Sequence, residues 1–212
     1  MSPPISIGEK MDFSPPAPTQ RPQPAVLVLG RFQPLHRGHT HLLRQAIAIR
    51  DSQYSEMTLR VMLGSSNCEQ SPEDPWLWME RQEMVSNWLE DEAVENHQVL
   101  PVPDLGDEQR WVGHASAWHG DAGVMVTSHQ GTRELYAKAG WKIHWVEVDD
   151  RESLQGWRVR QTLKMLCTVT DKDAVRMVMM ESMEQSVIDW LLAEDERLRR
   201  LAFLGPSVEH VG

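Results

Sequence analysis

Short apolar runs alternate along the chain with longer stretches whose apolar positions recur at helical spacing. Ala25–Leu29 is a continuous apolar run and reads as a buried strand. Met57–Leu63, Gln98–Val102, Gly123–Thr127 and Trp141–Val146 read as four more strands, most of them ending at turn residues such as Gly64-Ser65-Ser66-Asn67 and Pro103-Asp104. Between them lie predicted helices. His39–Arg50 places Leu42, Leu43, Ala46 and Ile47 on one face, and Leu77–Glu90 has the stripe Met84, Val85, Trp88 and Leu89. Gln109–His119, Thr132–Ala139 (closed by Gly140) and Val159–Leu166 follow, and Asp173–Leu201 holds one or two more.

Strands that alternate with helices imply an α/β protein with a parallel sheet covered on both faces. The expected architecture is a Rossmann-like, doubly wound, five-stranded parallel sheet with C-terminal helices. Right-handed crossovers bring the loops after each strand to one sheet edge. The turn after the first strand, Gly64–Asn67, Pro103-Asp104, Thr127-Ser128 and the region around Gly156 are expected to meet there. Residues 1–24 hold seven prolines, which exclude a regular helix or central strand, so this stretch reads as a flexible extension before a domain spanning 25–212.

Composition narrows the chemistry. The chain has 212 residues, 41% of them hydrophobic, enough for one domain with a true core. Its net charge of -10 argues against general binding of nucleic acid or an anionic membrane, while leaving room for a small anionic ligand. Two distant cysteines, Cys68 and Cys167, suggest neither a disulfide framework nor a zinc site. No apolar run reaches 18 residues, and the N-terminus lacks a basic-then-apolar leader; a cytoplasmic protein is expected.

Candidate chemistry concentrates in Gly30-Arg31-Phe32-Gln33-Pro34-Leu35-His36-Arg37-Gly38-His39, at the junction of the first strand and first helix. Spacing of three puts His36 and His39 near one face of the helix start. Gly38 lets the backbone pass close to a ligand. The free N–H groups of a helix start and two imidazoles together suit a polyphosphate. No third ligand is evident, so no metal site is expected from these residues.

This decapeptide resembles the HxGH nucleotidyltransferase superfamily, and its GRFQP form resembles the archaeal-type nicotinamide mononucleotide (NMN) adenylyltransferases, some of which form part of bifunctional enzymes with a Nudix domain. Further blocks agree: Leu63–Asn67 with Asp74-Pro75-Trp76 and Glu80-Arg81, Pro101–Asp104 with Trp111-Val112-Gly113-His114, and Glu152–Arg160. The resemblance covers roughly 25–201 and leaves too little chain after 201 for a Nudix unit. It implies adenylyl transfer from ATP to NMN, giving NAD and pyrophosphate. It implies His36, His39, Arg31 and Arg160 as catalytic residues, and Gly30, Arg31, Phe32, Gln33, His36, Gly38, His39, Gly156 and Arg160 as the ATP site. His39 would steady charge on the reacting phosphate, Phe32 and Gln33 would lie near the adenosine, and Arg160 would reach the β- and γ-phosphates. Asp104, Glu108 and Trp111 would hold NMN, with Trp111 stacked on its cationic ring. Mg²⁺ would accompany ATP, and a homo-oligomer is expected.

The chain departs from that family at several positions. Gln155 and Trp157 stand where two hydroxyl residues are usual, with Ser153 as a substitute only if the loop shifts. Glu73 replaces a basic residue, and Glu108 and His129 replace asparagines. Glu108 favours NMN over its acid, because a carboxylate accepts from a carboxamide and repels a carboxylate. Arg81, next to Glu80, reads as an exposed ion pair. Two alternatives stay open: an HxGH transferase with another phosphate acceptor, and a nucleotide-binding regulator weakened in turnover. A third reading makes the proline-rich stretch an interaction module. Deleting residues 1–24 and measuring catalysis separates it from the first, which expects little change.

Overall fold

The computed structural model describes residues 15–148 and 154–205. Ser153 and Glu152 lie outside the described residues. Five strands, β1 Ala25–Gly30, β2 Thr58–Leu63, β3 His97–Pro101, β4 Gly123–Thr127 and β5 Lys142–Trp145, form one sheet. Its order is β3-β2-β1-β4-β5, and every pairing is parallel. The expected class holds. β1 lies at the centre because it is apolar on both faces. Val26 and Val28 pack with Leu42 and Leu43 in one core cluster, while Ala25 and Leu27 pack with Met125 and Tyr136 in another.

The chain leaves β1 toward β2 and β3 and later returns on the other side through β4 and β5. This reversal opens a crevice at the carboxyl ends of β1 and β4, where ligands of such sheets bind. The helices between are α1 Arg37–Gln53, α2 Trp78–Asp91, α3 Trp111–His119 and α4 Gln130–Lys138, followed by α5 Gly156–Leu166. Helix α1 begins two residues before the expected His39, because His36 itself takes the N-cap position with extended backbone. Helix α5 begins at Gly156 rather than Val159. The expected one or two final helices are three, α6 Lys172–Met179, α7 Gln185–Ala193 and α8 Asp195–Phe203. Asp171 caps α6 by accepting from Asp173 and Ala174, and extended backbone at Glu194 divides α7 from α8.

These last helices brace the site loops. The Trp76 indole N–H donates to the Arg197 carbonyl at 3.1 Å, and Arg200 reaches Glu80 at 2.7 Å. Glu80 also accepts from the Leu77 amide at the start of α2. Among residues 15–24, the Gln23 carbonyl accepts from Arg60 at 3.0 Å and Arg21 pairs with Asp121. The stretch lacks regular structure but is tied to the domain at its end.

Arg81 corrects the expectation of an exposed pair. It is 1% exposed and does not pair with Glu80. Its guanidinium donates to the carbonyls of Arg31 at 2.7 Å, Gly64 at 2.8 Å and Ser65 at 3.2 Å, joining the loops that follow β1 and β2. Burial pushes its pKa down to about 10, so it stays charged at neutral pH. Arg81→Leu strands three carbonyls and is expected to cost about 2–4 kcal/mol in urea unfolding. A loss under about 0.5 kcal/mol, the range of an ordinary surface change, would contradict this role.

Candidate functional site

The crevice at the sheet edge is a cavity of about 820 Å³. Its walls come from the ends of β1 (Leu29, Gly30, Arg31), α1 (His36, Gly38, His39), Gly64-Ser65, Asp104 to Trp111, Thr127 to His129, and Leu154-Gln155. The loops expected to converge do so.

The basic end is built by the decapeptide. Phe32 adopts φ 52°, in the left-handed region. Its ring folds back over Gly30, where an added Cβ would come within 2.9 Å of it, and meets the His39 ring at 4.9 Å. Gly38 leaves room for His36, since a Cβ there would lie 3.2 Å from the imidazole. The two imidazoles stack at 3.8 Å with their planes 26° apart. The Nδ1 atoms of both are buried without a protein hydrogen-bond partner. Burial, with Arg160 nearby, pushes the His36 pKa down to about 4. Burial, then His36 and Arg31, holds that of His39 well below its usual value, against the opposing Pro34 carbonyl. Both are therefore neutral at pH 7 until an anion arrives to offset these charges.

Helix α5 starts against this pair. An added Cβ at Gly156 would lie 3.3 Å from Arg160 and 3.8 Å from Nε2 of His36. The helix N-terminus thus points its partial positive charge at the imidazoles. Arg160 does not line the cavity. It sits one layer behind and donates to the Gln33 carbonyl at 2.8 Å, and burial lowers its pKa. Arg31 does line it, with a half-exposed side chain 3.7 Å from Asp74.

Phe32 and Gln33 differ from their expected role. Both are buried, and the Gln33 carboxamide is turned to Trp76, donating to its carbonyl at 2.8 Å and accepting from its amide at 3.1 Å. This paired bond staples the decapeptide to the loop before α2. Trp157 does not fill the cavity either: it is 44% exposed, donates to Gln155 and lies under Arg158. Gln155, in contrast, is in the wall. His129 takes over a capping task, its Nδ1 accepting from the Thr132 amide of α4 at 3.3 Å.

The wall also carries acidic and aromatic side chains, Asp104, Asp107, Glu108 and Trp111. The Asn67 carboxamide accepts from the Asp104 amide at 2.8 Å and donates to the Asp104 carbonyl at 3.1 Å, fixing the loops after β2 and β3. His114, from the same block as Trp111, donates to the Pro103 carbonyl at 2.9 Å and so has a structural task. The same cavity thus carries imidazoles and a guanidinium together with carboxylates and an indole. Among the described residues no group of three or more His, Cys, Asp or Glu is placed to hold a metal. None of their helices is long and apolar enough to cross a membrane.

Sheet order and switch point define a Rossmann-like α/β domain with a crevice at the carboxyl ends of its strands. Residues 27–188 match the cytidylyltransferase-like family, and the chain belongs to it. It is 24% identical to a nicotinamide-nucleotide adenylyltransferase of Thermoplasma acidophilum over 143 residues, covering 68% of this chain and 76% of that protein. It is 25% identical to the enzyme of that name from Pyrococcus horikoshii over 179 residues, covering 83% and 88%. Among solved structures, a bifunctional NMN adenylyltransferase/ADP ribose pyrophosphatase from Francisella tularensis superposes with a TM-score of 0.55 at 18% identity over 80% of this chain. The chain spans 53% of that protein. A second structure of it, complexed with AMP and a Mn ion, gives 0.50 at 20% identity over 82% of this chain and 53% of that one.

The lowered histidine pKa values make stability depend on pH with a definite sign. The unfolded imidazoles take up protons near 6.5, whereas the native His36 resists until about 4 and burial holds His39 well below its usual value too. Stability is fully present above pH 6.5 and falls as pH drops from there toward 4. Tm measured between pH 7 and pH 4.5 should fall, and the fall should be shallower in His36→Asn/His39→Asn. An equal slope in both proteins would refute buried, neutral imidazoles.

Proposed function

We infer that this protein is a nicotinamide-nucleotide adenylyltransferase, which transfers AMP from ATP to NMN and releases NAD and pyrophosphate. The observation that carries the reading is the stacked His36–His39 pair facing the start of α5, in the same cavity wall as Trp111, Asp104 and Glu108. Its homologues bear the same name.

ATP lies with its phosphates across His36, His39, Gly38 and the N-terminus of α5. The phosphate charge reverses the effect that keeps the imidazoles neutral, so ligand binding and protonation are coupled. Arg31 exchanges Asp74 for phosphate oxygens, a bidentate contact that suits a guanidinium. Arg160 supports the same end through Gln33 and reaches the outer phosphates by leaving that carbonyl. The nicotinamide ring stacks on Trp111 and its carboxamide N–H₂ donates to Glu108, with Asp104 beside it. This favours NMN over its acid.

In the reaction the 5′-phosphate oxygen of NMN attacks the α-phosphorus of ATP in line. A new P–O bond forms as the bond to the bridging oxygen breaks, and pyrophosphate leaves with that electron pair. No protein nucleophile takes part; the chain positions the two phosphates and stabilises the charge that develops. His39, at the first turn of α1, holds the reacting phosphate, and His36 and α5 hold the leaving group. The carboxylates in the cavity wall lie at its acceptor end and form no cage, which fits a divalent ion that arrives on ATP with its own waters. When bound, Mg²⁺ would neutralise charge on the leaving pyrophosphate. A cytoplasmic setting fits these substrates.

The test is NAD formation from ATP, Mg²⁺ and NMN. His39→Ala is expected to lower kcat by about 10²–10³-fold with the fold intact. Tight ATP or NAD binding by the wild type without turnover would instead favour a regulator.

A further inference from the structure

A polar pair outside the reaction just described reaches the cavity wall through Tyr136, with His119 behind it. His119, the last residue of α3, and Tyr136 of α4 are both fully buried. Nδ1 of His119 is 2.7 Å from the Gly120 carbonyl. A carbonyl only accepts, so Nδ1 bears the proton. Nε2 is then an acceptor, and the Tyr136 hydroxyl 2.9 Å away donates to it. Burial, with Arg60 adding to it against the Gly120 hydrogen bond, pushes the His119 pKa down to about 4. One tautomer and one hydroxyl direction therefore hold at neutral pH. Arg60 also anchors this corner from below, donating to the His119 carbonyl at 2.9 Å.

The phenol held in this way has aromatic neighbours on two sides. Trp141 meets it edge-on at 5.3 Å and also meets His119 at 5.1 Å. Trp111 meets it at 6.2 Å with the planes 63° apart. Trp111 is half-buried at the first position of α3, with Tyr136, Leu29 and the cavity around it. An indole there has space on the cavity side, so its orientation depends on the ring behind it.

We propose that Tyr136, locked by His119, is a positioning residue for the acceptor subsite: it sets the orientation of Trp111 onto which the planar cationic ring of the acceptor stacks. The inference rests on the adenylyltransferase reading. Tyr136 belongs to the cavity wall beside Trp111 but has no solvent-exposed surface, so its hydroxyl, held by His119, acts on the acceptor through Trp111. Its effect belongs to the acceptor alone, because the phosphate end is built from α1 and α5.

Tyr136→Phe keeps the ring and removes the donor. The KM for NMN is expected to rise about fivefold to tenfold, the worth of one lost buried hydrogen bond, while kcat and the KM for ATP stay within about twofold. His119→Leu should behave alike, and His119→Gln, which keeps an acceptor for the hydroxyl, should restore the KM for NMN. A second readout needs no turnover: the near-ultraviolet circular dichroism due to Trp111, taken as wild type minus Trp111→Leu, should weaken when measured in the Tyr136→Phe background. An unchanged KM for NMN with an unchanged Trp111 signal, or equal losses for both substrates, overturns the proposal. If the wild type forms no NAD, the reaction reading fails, and the Trp111 signal alone decides whether Tyr136 orients that ring.

Discussion

One buried guanidinium joins the parts of this site. Arg81 contributes from α2, yet its three hydrogen bonds end on the carbonyls of Arg31, Gly64 and Ser65, at the tips of the two central strands. Buried carbonyls need partners, and a planar fork of donors can serve several at once. Around that anchor the decapeptide takes a shape it would not hold alone, with Phe32 left-handed over Gly30 and Gln33 bonded to both main-chain groups of Trp76. The C-terminal helices close the arrangement from outside, through Arg197 and Arg200 on the loop and first turn of α2. Stability and site geometry thus share the same residues.

The cavity wall carries two imidazoles and Arg31 together with the carboxylates of Asp104, Asp107 and Glu108 and the ring of Trp111. This local set of side chains, more than the net charge of -10, governs what the cavity accepts. Burial keeps the imidazoles neutral while the cavity is free, so the protein avoids storing repulsive charge between two rings 3.8 Å apart. Beside Trp111, the His119–Tyr136 pair supplies rigidity without any charge near neutral pH.

The departures from the adenylyltransferase pattern have different consequences once placed in space. Trp157 points outward and leaves the cavity open, whereas Gln155 stands in its wall. His129 caps α4 through its Nδ1. Glu108 stands in the same cavity wall as Trp111.

Much of this was legible in the chain itself. Periodicity determines the five strands, the parallel sheet and the junction that holds His36 and His39, because burial on two faces and a helix start each leave a local signature. Short-range glycine and histidine spacing likewise announces a phosphate site. The tertiary structure alone decided that Arg81 is buried rather than paired with Glu80, that Gln33 faces Trp76, that Arg160 stands behind the wall, and that His119 meets Tyr136. Each of these depends on groups far apart in sequence whose desolvation is met by a partner on another element. No local pattern encodes such a match; it exists only after the sheet has brought the loops together.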